Sequence, residues 1–115
     1  MNRTDISINR FTRGSMELLT LKILSEKDCY GYEILQLAEE YSQGAVTFSA
    51  GALYGVLYDF EETGCISSRT QKAGKRRQRV YYHLEEPGRK TFEGMREAYR
   101  ETDAGIRKIL EHGGT

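Results

Sequence analysis

Six bases and no acid fall between Arg69 and Arg79, whereas seven acids and no base fall between Asp28 and Ser68. The basic block lies between two short stretches that read as strands, Cys65 to Thr70 and Arg79 to Leu84. In the second, Val80 and Tyr82 alternate with Tyr81 and His83, as a half-buried strand requires. The spacing therefore predicts a hairpin whose loop, Gln71 to Gln78, turns at Ala73-Gly74 and carries the charge. A two-stranded hairpin is marginal on its own, so the rest of the chain must supply the body that holds it.

Three helical segments precede the hairpin. Ser15 can cap the first, with Glu17 where the helix dipole favours an acid. Met16, Leu18, Leu19, Leu21, Ile23 and Leu24 then place apolar residues on several faces, as in a helix covered on more than one side. It should stop near Glu26 to Asp28. The second is predicted from Gly31 to about Ser42, with Ile34, Leu35, Ala38 and Tyr41 on one stripe and Gln43-Gly44 as the break. Ser49 should cap the third, Ala50 to Thr63, which Gly64 closes. Its stripe is Leu53, Val56, Leu57 and Phe60.

The last segment reads as one helix from Glu86 to Glu111, with Pro87 in the first turn. Phe92, Met95, Tyr99, Thr102, Ile106 and Ile109 repeat at 3-4-3-4-3 spacing, a heptad seam over nearly its whole length. At ~1.5 Å per residue it would reach about 39 Å, too long for a small domain to cover. The seam is expected to pack on a partner helix. The chain has 115 residues, enough for one domain with a small core, and a second subunit would add buried surface.

Several classes are excluded. Two cysteines, Cys29 and Cys65, cannot build a disulfide scaffold, and with only His83 and His112 no zinc spacing exists. Cys65 reads as core; Cys29, near a loop, is the more open of the two to a redox role. A reduced, cytoplasmic compartment is expected. The first residues, with Arg3, Asp5, Arg10 and Arg13, do not resemble a signal peptide. The longest uncharged stretch, Tyr41 to Tyr58, is too polar to span a membrane. Gly74-Lys75 lacks the upstream glycine of a phosphate-binding loop, because Arg69 stands there. No nucleophile–base set emerges, and neither an enzyme nor a cofactor is expected.

Three short helices followed by a basic hairpin describe a winged helix-turn-helix, a mainly α (α+β) fold with a two-stranded wing and a long C-terminal dimerisation helix. In that arrangement the third helix enters the major groove and the wing lies along the backbone. Lys75, Arg76, Arg77 and Arg79 would neutralise phosphates, and the arm adds Arg3, Arg10 and Arg13.

Four ordered motifs resemble one family. Tyr30-Gly31-Tyr32-Glu33-Ile34 is similar to the YGYEI signature of PadR-family transcriptional regulators. Ser49-x-Gly51-x-Leu53-Tyr54-x-x-Leu57 resembles that family's recognition-helix motif, and Glu61-x-x-Gly64-x-Ile66 its exit. Gly74 to Leu84 is similar to its wing, and Gly88-Arg89 to the start of its C-terminal helix. The resemblance spans about residues 15 to 110 and points to the short subfamily with a single C-terminal helix. It implies a homodimeric repressor on an inverted-repeat operator in double-stranded DNA, released in many members by a small aromatic or drug-like effector near the dimer interface. By position, Ser49, Gly51 and Tyr54 would face the groove, and Tyr30 and Tyr32 would approach the backbone. Phe92, Met95, Tyr99, Ile106 and Ile109 would form the effector and dimer seam. Residues 1–85 would then be the DNA-binding domain and 86–115 the dimerisation helix.

This chain departs from the family pattern on its third helix. Ala52 replaces the usual threonine, Gly55 a common proline, and Asp59 and Glu62 stand where relatives often carry bases. With no Lys or Arg on that helix, DNA contact is expected from its N-terminal half, where the dipole and free N–H groups favour phosphate. The acidic helix also keeps a second reading open, a winged-helix module that binds protein.

Overall fold

The computed structural model describes residues 13–114. The expectations for Arg3 and Arg10 of the arm fall outside that range. A 3-10 turn, Arg13–Ser15, leads into α1 (Met16–Glu26). Then come β1 (Cys29–Tyr30), α2 (Gly31–Tyr41), α3 (Ala50–Glu62), β2 (Ile66–Lys72), β3 (Gln78–Leu84) and α4 (Glu86–Leu110). The helices begin and end within about two residues of the predicted limits. This is the mainly α winged-helix architecture, with a sheet added.

The core lies where α1, α2 and α3 meet the base of the hairpin. Leu21, Ile34, Leu53 and Leu57 are fully buried, and Ile66, Leu84 and Phe92 close the cluster. α1 buries Thr20, Leu21, Ile23 and Leu24. The Thr20 hydroxyl has no hydrogen-bond partner among the described residues. Between α2 and α3 the chain reverses through Gln43 and Gly44, both at positive φ (55° and 84°). The Gly44 N–H donates to the Glu39 carbonyl at 2.8 Å, and the Val46 N–H donates to Ser42 Oγ at 2.9 Å. These bonds satisfy groups that the helix end leaves open.

The sheet differs from expectation. It has three antiparallel strands in the order β1-β3-β2, not two. β1 pairs Cys29 with Tyr82 and Tyr30 with Tyr81. Two residues are too short a run to carry a strand signature, and the pairing arises because α1 ends directly against β3. The hairpin strands are also longer than predicted, in register from Ile66↔Leu84 to Lys72↔Gln78. Ladder pairing extends β2 through Gln71 and Lys72 and β3 back to Gln78, so Lys72 moves from the expected loop onto a strand, while Arg69 and Arg79 lie on strands as predicted. Lys75, Arg76 and Arg77 alone remain in the loop. On β3 the inward residues are Tyr82 and Leu84; Val80 shares their face but is exposed, because the strand there has run past the core.

α4 begins with Gly88 and Phe92 buried and Met95 packed on the core. The seam then leaves the body: Tyr99, Ile106 and Ile109 are exposed, Ile109 to 76%. Phe92 and Met95 are thus covered by the protomer's own core, where a partner helix was expected to cover them. Heptad spacing selects one face of the helix but not what covers it.

Candidate nucleic-acid interface

α3 owes its start to Ser49, whose Oγ accepts the Ala52 N–H at 3.2 Å. Its inner stripe of Leu53, Leu57 and Phe60 is buried. Gly51 and Gly55 lie on the exposed side with open space around them. Asp59 and Glu62 are exposed further along the helix. Glu61 turns toward the hairpin and accepts the Ser68 hydroxyl at 2.8 Å.

At the start of α2, Glu33 accepts the Tyr30 N–H at 3.4 Å and pairs with Lys27 at 2.8 Å. This half of a capping box fixes the turn that carries Tyr30 and Tyr32. Tyr54 comes across from α3 and lies against Gly31. Tyr30, Tyr32, Tyr54, Gln78 and Arg79 line a cleft of about 290 Å³ between the helix-turn-helix and the outer part of β3. Four of the predicted contact residues are therefore brought together. Lys75, Arg76 and Arg77 are exposed at the wing tip, where the Ala73 N–H donates to the Arg77 carbonyl at 2.9 Å and Gly74 takes φ 105°.

Arg79 does not extend with the tip bases. Its guanidinium lies 4.2 Å from the centre of the Tyr30 ring. Tyr30 meets Tyr81 edge-on with ring centres 5.5 Å apart, and Arg69 sits 5.4 Å from the centre of Tyr81. Arg69 Nη1 then reaches Asp28 Oδ2 at 2.6 Å, and His83 Nδ1 lies 2.7 Å from Asp28 Oδ1. Burial alone would raise the Asp28 carboxyl, but the hydrogen bonds and charges of His83 and Arg69 outweigh it, and its pKa is lowered. This ladder is absent from the sequence reading. Its one sequence signal is alternation: Arg79, Tyr81 and His83 share a face of β3, and Asp28 and Tyr30 are two apart. Without β1 nothing brings the two sets together.

Cys29 is buried in β1, and burial pushes its thiol up to about 12. That environment disfavours thiolate and contradicts the redox role left open for it. Cys65 is buried as expected.

A second cleft, also about 290 Å³, lies between the start of α1 and the middle of α4, lined by Leu18, Met95, Ala98, Tyr99 and Thr102 among others. It unites Met95 and Tyr99 of the expected seam. Phe92 is in the core, and Ile106 and Ile109 lie further along the helix. Among the described residues, no His, Cys, Asp and Glu cluster could hold a metal ion, and no helix is long and apolar enough to cross a membrane.

Residues 20–94 match the model of the Transcriptional regulator PadR-like family. The chain is 36% identical over 66 residues to the transcriptional regulator YqjI of Escherichia coli (strain K12), covering 57% of this chain and 32% of that protein. It therefore spans about a third of the length of this curated relative. A transcriptional regulator from Clostridium thermocellum has a similar structure, with a TM-score of 0.80 at 27% identity over 88% of this chain and 95% of that one. Bacillus subtilis PadR, solved in complex with operator DNA, superposes with a TM-score of 0.63 at 20% identity, over 69% of this chain and 45% of that one, a likeness of fold.

Proposed function

Because the chain belongs to the PadR-like family of transcriptional regulators, we propose that it is a sequence-specific DNA-binding regulator, a repressor that acts as a homodimer on an inverted-repeat operator. The observation that carries the reading is the convergence of Tyr30, Tyr32, Tyr54 and Arg79 on one cleft between α3 and the wing. Three exposed bases, Lys75, Arg76 and Arg77, stand at the wing tip beyond it. The N-terminal half of α3 is the part that enters the major groove. Ser49 caps it, and Gly51 lets its backbone come close to the base edges. Tyrosine hydroxyls and backbone N–H groups bond phosphate, and Lys75, Arg76 and Arg77 neutralise it. The complex of the B. subtilis relative with operator DNA supports the same use of the fold. On this reading the protein works in the cytoplasm, beside the DNA.

Residues 1–85 form the DNA-binding unit and 86–115 the dimerisation helix, whose first turns also complete the core. The open stretch of α4, from Tyr99 to Leu110, seats the second copy. A planar aromatic effector fits the cleft at Met95 and Tyr99, where binding would alter the spacing of the two recognition helices.

The test is a gel shift with DNA from the protein's own promoter region at two salt concentrations. A discrete, competitor-resistant shift is expected. Arg76→Ala with Arg77→Ala should reduce the salt slope by about 2, since each phosphate contact contributes about 0.9. Absence of a specific shift would overturn the reading. The exposed acids Asp59 and Glu62 would then favour a protein partner.

A further inference from the structure

We propose that Asp28 is a positioning residue for DNA binding: from the link between α1 and β1, its carboxylate holds both wing strands and sets the angle at which the wing tip meets the duplex. The inference rests on the DNA-binding reading above. The two side chains that Asp28 bonds, Arg69 and His83, are not among the expected DNA contacts. It accepts from Arg69 on β2 at 2.6 Å and contacts His83 on β3 at 2.7 Å, one carboxylate oxygen to each.

An exposed ion pair ordinarily contributes little to stability, and Arg69 and His83 are each about half exposed. What distinguishes this pair is where it acts. The core holds the hairpin only at its base, through Ile66, Tyr82 and Leu84. β1 adds two paired residues. Beyond that the hairpin is a two-stranded ribbon, which flexes and twists. Arg69 stands opposite Tyr81, on the last rung that β1 still braces and directly below the two-stranded part. Through Arg69 the Asp28 carboxylate reaches Tyr81, and through Tyr81 it reaches Tyr30 and Arg79. The ladder thus ties the outer face of the ribbon to the turn that starts α2. Lys75, Arg76 and Arg77 can meet phosphates only if the ribbon beneath them keeps its direction.

Asp28→Asn preserves shape but removes the charge; Arg69→Gln removes the other partner. Binding of promoter DNA is measured over a salt series, with melting of each free protein as a check. Both variants should bind about tenfold more weakly and lose about 2 from the salt slope, as though the tip contacts were gone. Combined with Arg76→Ala and Arg77→Ala, Asp28→Asn should add little further loss. Melting temperatures should fall by no more than a few degrees. A wild-type slope in Asp28→Asn, or losses that multiply independently with those of the tip variant, would overturn the proposal.

Hydrogen exchange of the free protein gives a reading that needs no DNA. Amides of β2 and β3 beyond Arg69 should exchange faster in Asp28→Asn, and unchanged exchange there would also overturn it. If the wild type binds no specific DNA, the regulator reading fails by itself, while the exchange data still decide whether Asp28 holds the wing.

Discussion

Tyr54 of α3 packs its ring on the backbone of Gly31, the first residue of α2, so closely that a Cβ on Gly31 would stand 2.6 Å from Cζ and 2.9 Å from Cε1 of the ring. Two helices thereby share one contact at the mouth of the cleft. Gly31 is fully enclosed, whereas Tyr54 is 48% exposed and can swing outward. Gly31→Ala should therefore displace the ring and leave the core intact. Stability should change by no more than about 1 kcal/mol, because the gain in helix propensity offsets part of the strain. DNA affinity should fall several-fold. Urea unfolding and anisotropy of labelled promoter DNA measure the two effects separately, and unchanged affinity would show that the Tyr54 position is irrelevant to binding.

Gly88 is a close approach of the opposite kind. A Cβ there would collide with the Cys65 carbonyl oxygen and stand 2.7 Å from Leu84 Cδ1. That carbonyl already accepts the Glu85 N–H at 2.9 Å, so the backbone has no room to retreat. Gly88→Ala should cost about 2–3 kcal/mol through overpacking, seen as a lower urea midpoint. A neutral result would mean that α4 can shift away from β2 as a rigid unit.

Thr20 presents a hydroxyl to the core without a partner among the described residues. Thr20→Val keeps the branched shape, suits the helix, and removes the desolvated group. It should stabilise the protein by about 1 kcal/mol. A loss of stability on urea unfolding would show that the hydroxyl is satisfied in solution.

These contacts mark how far the sequence could be read. Helix limits were legible because Ser49, Gly64 and Pro87 impose local geometry that any surrounding fold must accept. The hairpin was legible from alternation and from its basic loop. β1 was not, since Cys29 and Tyr30 become a strand only when β3 lies beside them. The ladder was hidden for the same reason: Asp28 and His83 are distant in the chain, and cation–π partners have no fixed spacing. Of the candidate site, Tyr30, Tyr32, Tyr54 and Arg79 do meet, but nothing local to Arg79 reveals that it lies over Tyr30 and not at the tip. Along α4 the periodicity identified the apolar face correctly. It could not divide that face between the core, which takes Phe92 and Met95, and the open stretch that begins at Tyr99.

Burial holds the Cys29 thiol at about 12, far above working pH. Its thiolate population at pH 8 is therefore negligible, and thiolate is the reactive form. Alkylation with iodoacetamide, mapped by peptide mass spectrometry, should leave Cys29 unmodified in the native protein and modify it fully in denaturant. Substantial native labelling would mean that β1 opens readily from β3.

The open face of α4 bears on assembly. Tyr99, Ile106, Ile109 and Leu110 are exposed on a helix whose first turns are fully occupied by the core. The flanks are polar, with Arg107 paired to Asp103 and Arg100 near Glu97. An apolar strip with charged borders matches a helix–helix contact, and light scattering should give a mass near twice 13.2 kDa. In Ile106→Glu each copy would bring an unpaired carboxylate into that contact, at a cost of about 3–5 kcal/mol per buried charge. Position 106 is half exposed in the single chain, so the fold itself should tolerate the change. The variant should be a folded monomer by circular dichroism and light scattering together. Dimers that persist would place the second copy elsewhere on the surface, and the Tyr99 cleft would then face solvent.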